Sequence, residues 1–236
     1  MQTFKILGIL LTYPKADWVD HVMDMKTVLE QENLLPPKKT KKLYAFMDKL
    51  ARRNLMKSQE DYVALFDRGR AYCLHLFEHV HGESRDRGQA MVDLSDQYKE
   101  KGLVINAAEM PDYLPMFLEF LALCEPAEAQ DMLGEAVHII AAIGAKLDRR
   151  KSDYASVFAA IAALTDAKID MDYVNAALSE DAQRDDSLEA LDREWEDAPA
   201  FDGAAPGGTG AMACNSCDTA TISRPTPQQS ASAVRH

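Results

Sequence analysis

The chain has 236 residues, 47% of them apolar by type, and carries 38 acidic against 26 basic side chains for a formal charge of −12. A chain this long buries roughly 70% of its unfolded surface, so it needs neither disulfide nor metal to hold a core. Its acidity repels phosphate backbones, and no apolar run approaches the ~20 residues of a membrane span, which sets aside nucleic-acid binding and membrane insertion.

The opening stretch from Met1 to Leu11 is apolar with one Lys, but Tyr13-Pro14-Lys15 follows it instead of a small-residue cleavage site. It reads as a core helix and not as a signal peptide. Trp18, Val22, Met25 and Leu29 recur at spacings of four, three and four, one face of a single amphipathic helix that ends before Pro36-Pro37. Leu43, Phe46, Met47 and Leu50 repeat the pattern after Thr40. Ser58-Gln59-Glu60-Asp61 has the form of a capping box and would open a helix carrying Tyr62, Leu65 and Phe66. Tyr72 to Val80 alternates like a strand but has no evident partner, so an ordered loop or helical turn is expected there. Helices are expected over 86–101 (ending at Gly102), 111–123, 126–150, 152–164 and 171–178.

From Ala198 the composition changes. Four Gly, four Pro and eight Ser/Thr fall among the last 39 residues, with Phe201 the only aromatic. Such a segment cannot bury enough apolar surface to offset its ordering entropy. The expected organisation is one all-α helical-bundle domain over 1–197 and a disordered tail over 198–236. Acidic charge is concentrated late, with 13 carboxylates against 4 cations in residues 151–200. A basic peptide is therefore a natural partner.

The densest chemistry lies between Leu65 and Ala90, where His75, His79, His81, Cys73, Asp67, Glu78, Glu83 and Asp86 crowd together. His75 and His79 one helical turn apart could share a metal, which makes a metal-dependent enzyme built on His75, His79 and His81 the alternative reading. Glu78 stands directly before the second His, however, and a zinc site needs a third and usually a fourth ligand. Imidazoles hydrogen-bonded to neighbouring carboxylates are the simpler account. Cys214-Asn215-Ser216-Cys217 is a lone CxxC inside the expected tail and carries little weight. The four cysteines in a chain without export signals point to a reducing compartment. Walker, GxGxxG and GxSxG motifs are missing from the sequence.

Three stretches resemble the NarJ-type chaperones, assembly factors of respiratory nitrate reductase. They are Tyr62-x-x-Leu65-Phe66-Asp67-Arg68-Gly69-Arg70, the long run from Leu76 to Leu94, and Glu109-Met110-Pro111-Asp112-Tyr113-Leu114-Pro115. The wider group, which includes chaperones of other molybdoenzymes, has a Glu-x-x-Asp-His element; the counterpart here ends in Tyr113, which leaves Asp112 the safer functional residue. The resemblance implies an all-helical TorD-like domain without catalytic activity. Such a chaperone binds the N-terminus of the apo catalytic (alpha) subunit, alone or with the beta subunit, in the cytoplasm. It holds that client ready for iron–sulfur and molybdenum cofactor insertion, delays membrane docking, and keeps no cofactor of its own. A client other than nitrate reductase stays open at this point. For the peptide groove, Tyr62, Phe66, Tyr113 and Leu114 are the expected walls and Asp67, Glu109 and Asp112 the negative rim. Arg68, His79, Glu83, Arg85, Asp86 and Arg87 are expected to order the adjoining loop or touch the client. A monomer, or a weak dimer, is expected.

Overall fold

The computed structural model describes residues 1–67, 70–81, 85–103, 105 and 109–183, without the side chains of 70, 81, 85 and 183. In chain order the helices are α1 (Gln2–Leu10), α2 (Ala16–Val19), α3 (Val22–Glu32), α4 (Pro37–Arg52), α5 (Leu55–Tyr62), α6 (Glu78–His81), α7 (Arg85–Glu100), α8 (Leu114–Leu123), α9 (Pro126–Arg149), α10 (Ala155–Ile161) and α11 (Met171–Gln183). A π-turn over Val63–Asp67 continues α5, and 3-10 turns occupy Arg70–Tyr72 and Ala162–Leu164. Among the described residues no strand forms, and no helix is long and apolar enough to cross a membrane. The all-α expectation holds. The boundary at 197, the tail and its Cys214/Cys217 pair lie outside the described residues.

α1 is apolar on nearly every side because it is enclosed: Phe4, Leu7 and Leu10 are fully buried, and the helix packs on α8. Its first turn has no local side-chain cap. Glu32 at the end of α3 supplies one, its carboxylate accepting from Gln2 N and Thr3 N at 2.7 Å and from Thr3 Oγ1 at 2.6 Å. Partial burial works to raise the Glu32 pKa, and these three bonds outweigh it and hold the carboxyl below its usual value. α9 forms the spine, with α8, α10 and α11 against it, and α10 in turn contacts α4 and α1. Where α9 and α10 cross, Gly144 permits the approach, since a Cβ there would stand 2.9 Å from Phe158 Cβ.

Several boundaries differ from the sequence reading. The helix expected over Trp18 to Leu29 is two helices, broken at Asp20–His21, so that Val19 and Val22 both turn inward. α4 starts three residues before Thr40, at Pro37, where a proline suits the first helical position. Ser58 does not open a helix: Asn54 is the N-cap, its side chain accepting from Lys57 N, and Ser58 is buried inside α5. α8 begins at Leu114, not Pro111, because the residues before it are committed to another segment. α11 runs to Gln183, five residues beyond its expected end. Gly102 does close α7, in the left-handed conformation (φ +78°), with Leu103 N bonding back to Tyr98 O at 2.9 Å.

Candidate functional site

The stretch from Cys73 to Val80 has a partner after all. Leu76 N donates to Asp112 O at 3.0 Å and Leu114 N to Leu74 O at 2.8 Å, which makes His75 and Tyr113 an isolated antiparallel bridge. Asp112 locks the bridge with its side chain. One carboxylate oxygen accepts from Phe77 N at 3.0 Å and the other from His75 Nδ1 at 3.2 Å. An ionised carboxylate only accepts, so the His75 tautomer carries its proton on Nδ1. The Asp112 side chain is 0% exposed. It is the buried clasp of the site, and this corrects the expectation that it stands on an open rim.

Above the clasp, Tyr62, Asp67, Glu109 and Tyr113 come together. Tyr62 is buried, donates to Leu11 O at 2.9 Å and shares a hydroxyl hydrogen bond with Tyr113, which is half-buried. Burial, with the Tyr113 hydroxyl beside it, raises the Tyr62 phenol far above its usual range; burial also raises Tyr113. Asp67 ends the π-turn, and its carboxyl is pushed above the ordinary value by partial burial and by the facing Glu109 carboxylate. Asp67 and Glu109 are both exposed. Two like charges held close and open to solvent favour a visiting cation. The remaining expected wall residues, Phe66 and Leu114, are core: Phe66 stacks at 4.9 Å from Tyr62 and 5.0 Å from Tyr154, and Leu114 is fully buried.

The loop residues divide. His79 Nε2 donates to Cys73 O at 2.8 Å, and the His79 carbonyl accepts from Tyr173 of α11 at 3.1 Å. Arg87 Nη1 donates to Glu78 at 2.5 Å, tying α7 to α6, and Asp86 is exposed beside it. Arg68 and Glu83, with the side chains of Arg85 and His81, lie outside the described residues. His75 and His79 spend their donors on different acceptors, and among the described residues no three His, Cys, Asp or Glu gather in a metal-binding group. Burial pushes the Cys73 thiol up, which keeps it unreactive.

Sequence patterns gave no warning of what lies behind the clasp. A cavity of about 550 Å³ sits between α9, α11 and the Glu78–His79 turn, lined by Lys146, Tyr173 and Asp181 among others. α11 straps over it: Asp181 accepts from Tyr72 Oη at 2.9 Å and from Arg149 Nη2 at 2.5 Å. Burial and the Asp181 bond push the Tyr72 phenol up to about 12. Burial also lowers the His79 pKa, with Lys146 adding to the effect. Unfolded, this imidazole takes a proton near pH 6.5; folded, it resists until lower pH. The unfolded state therefore binds more protons in that window, and stability falls as pH drops below about 6.5. Denaturant titrations from pH 7.5 to 5.5 should show a shallower loss in His79→Gln than in wild type; parallel slopes would exclude His79 as the source.

The sequence matches the family described as nitrate reductase delta subunit over residues 32–160. It is 43% identical over 192 residues to the nitrate reductase molybdenum cofactor assembly chaperone NarJ of Escherichia coli strain K12, covering 81% of both chains. It is 35% identical over 197 residues to the probable nitrate reductase molybdenum cofactor assembly chaperone NarW of the same strain (84% and 82% covered). A probable NarJ of Bacillus subtilis strain 168 is 28% identical over 155 residues, covering 66% of this chain and 83% of that one.

Proposed function

The chain belongs to the nitrate reductase delta subunit family, and from that premise we propose that it is a molybdenum cofactor assembly chaperone for a respiratory nitrate reductase. It binds the N-terminal segment of the apo alpha subunit in the cytoplasm and keeps that subunit open to iron–sulfur and molybdenum cofactor insertion. It delays docking to the membrane partner and leaves before the enzyme is complete, with no bond made or broken by its own residues. The cofactor is the client's cargo. The observation that carries the binding reading is the grouping of Tyr62 and Tyr113 beside the exposed, mutually repelling Asp67 and Glu109. A leader segment bearing Lys or Arg relieves that repulsion, and the tyrosine rings give its apolar residues a surface to cover. Asp112 acts at one remove, by fixing the backbone from which Tyr113 projects.

Charge reversal at both open carboxylates, Asp67→Lys with Glu109→Lys, is expected to weaken calorimetric affinity for a synthetic alpha-subunit leader peptide by at least ~10-fold, about 1.4 kcal/mol. It should also flatten the salt dependence of binding. Both side chains are exposed, so the fold is retained. Wild-type affinity and wild-type salt dependence in the double variant would refute the assignment.

A further inference from the structure

Tyr62 is the centre of the binding face, yet it is 5% exposed, so most of the ring surface a visitor meets belongs to its neighbours. Tyr113 joins it at the hydroxyl. A further tyrosine, Tyr13, stands perpendicular to the Tyr62 ring with centroids 5.7 Å apart, and it is 38% exposed. A T-shaped pair of this kind is favoured by the ring quadrupoles beyond the area it covers. Tyr13 lies outside the three stretches that resemble the chaperones and ahead of the family match, which starts at residue 32.

The connection between α1 and α2 that carries Tyr13 is held at three carbonyls. Tyr62 Oη donates to Leu11 O at 2.9 Å, Gln59 Nε2 to Pro14 O at 2.8 Å, and Trp18 Nε1 to Tyr13 O itself at 3.2 Å. Two of these donors belong to α5, the helix that runs on into the π-turn ending at Asp67. Connections usually move more than the helices they join. This one is tied to the element that positions an open carboxylate of the site. Its backbone is fixed and a tyrosine has two side-chain torsions to order, so little freedom is lost when a peptide covers the ring. Charge distinguishes the two ends of the face. Burial raises the Tyr113 phenol, and the charges of Glu109 and Asp67 add to the rise, so both carboxylates lie at that end. Near Tyr13 the chain carries exposed Lys15 and Asp17, whose charges cancel. A Lys or Arg is drawn to the Tyr113 end, and an apolar side chain suits the Tyr13 end.

We propose that Tyr13 is a client-contacting residue of this face, its exposed ring covered by an apolar side chain of the bound leader while Asp67 and Glu109 hold the leader's Lys or Arg. This role rests on the leader-binding reading above and sharpens it: the segment recognised presents a cationic and an apolar residue on one side. Tyr62 is the shared support, its ring against Tyr13 and its hydroxyl against Tyr113.

Calorimetry with the synthetic alpha-subunit leader peptide tests this on the full-length chain. Tyr13→Ala should weaken binding at least ~5-fold, the usual scale for truncating an aromatic anchor, and leave the salt dependence as in wild type. Tyr13→Phe keeps the ring and should bind like wild type. Photoreactive p-benzoylphenylalanine in place of Tyr13 should cross-link the peptide on irradiation, and the same group in place of Met23, exposed on α3, should not. Wild-type affinity in Tyr13→Ala overturns the inference, as does a Phe variant as weak as the Ala one, since the hydroxyl would then be the contact. Absence of a cross-link from position 13 also overturns it, by leaving Tyr13 as a support for Tyr62 alone. In each case the leader-binding reading stands while Asp67→Lys with Glu109→Lys still weakens binding. Wild-type affinity in that double variant removes the reading, and the role of Tyr13 with it.

Discussion

Replacing Asp112 with Ala is expected to cost about 3 kcal/mol, far more than removing an exposed carboxylate. The side chain is fully enclosed and serves two donors, Phe77 N at 3.0 Å and His75 Nδ1 at 3.2 Å. Hydrogen bonds to a charged acceptor contribute about 1.5–3 kcal/mol each, and a buried donor stripped of its acceptor adds a desolvation cost. The backbone bonds from Leu76 and Leu114 that flank the clasp lose their reinforcement as well. At roughly 2–4 °C per kcal/mol for a fold of this size, the melting temperature should drop about 6–12 °C. Asp112→Asn keeps the shape, with its oxygen accepting from Phe77 N and its amide donating to His75 Nδ1 once the ring carries its proton on Nε2, and should cost only about 1 kcal/mol. Thermal and urea denaturation of both variants distinguishes a clasp from a rim charge. Equal, small losses in the two would mean that the carboxylate is not holding the bridge.

Phe66→Ala should be as damaging, about 3–5 kcal/mol by the usual cost of emptying a buried aromatic site. The ring stands between Tyr62 and Tyr154, and Tyr154 continues the contact to Phe46 of α4 at 4.9 Å. Phe66 therefore ties the π-turn to α10 and α4, and the next residue in that turn is Asp67. Its loss should loosen the turn and lower leader-peptide affinity together. Phe66→Leu refills most of the volume and should recover most of both. Stability restored by Leu while affinity stayed at the Ala level would show that the ring touches the peptide directly and is not only a support.

The helical architecture was legible because apolar residues recur at helical spacing from Phe4 to Val174 and most of them are buried. What the spacing missed has local physical causes. The break between α2 and α3 carries no Gly or Pro at Asp20–His21, so nothing in the pattern interrupts the periodicity. Asn54 and Ser58 are both competent N-cap residues, and the chain uses the earlier one. The α1 cap comes from Glu32, about thirty residues away, beyond any local signal. The resemblance to known chaperones brought attention to Tyr62, Asp67, Glu109 and Tyr113, which do meet. It could not reveal that Asp112 faces inward, because that follows from pairing with residues 75–77 far back in the chain.

The central claim is that one face of this chain grips the leading segment of another polypeptide. Its most direct test is amide hydrogen exchange on the full-length chain with and without a saturating synthetic peptide from the N-terminus of the nitrate reductase alpha subunit. New protection gathered on Tyr62–Asp67 and Glu109–Leu114 is the predicted result. Protection confined to other elements, or none at saturating peptide, would contradict it.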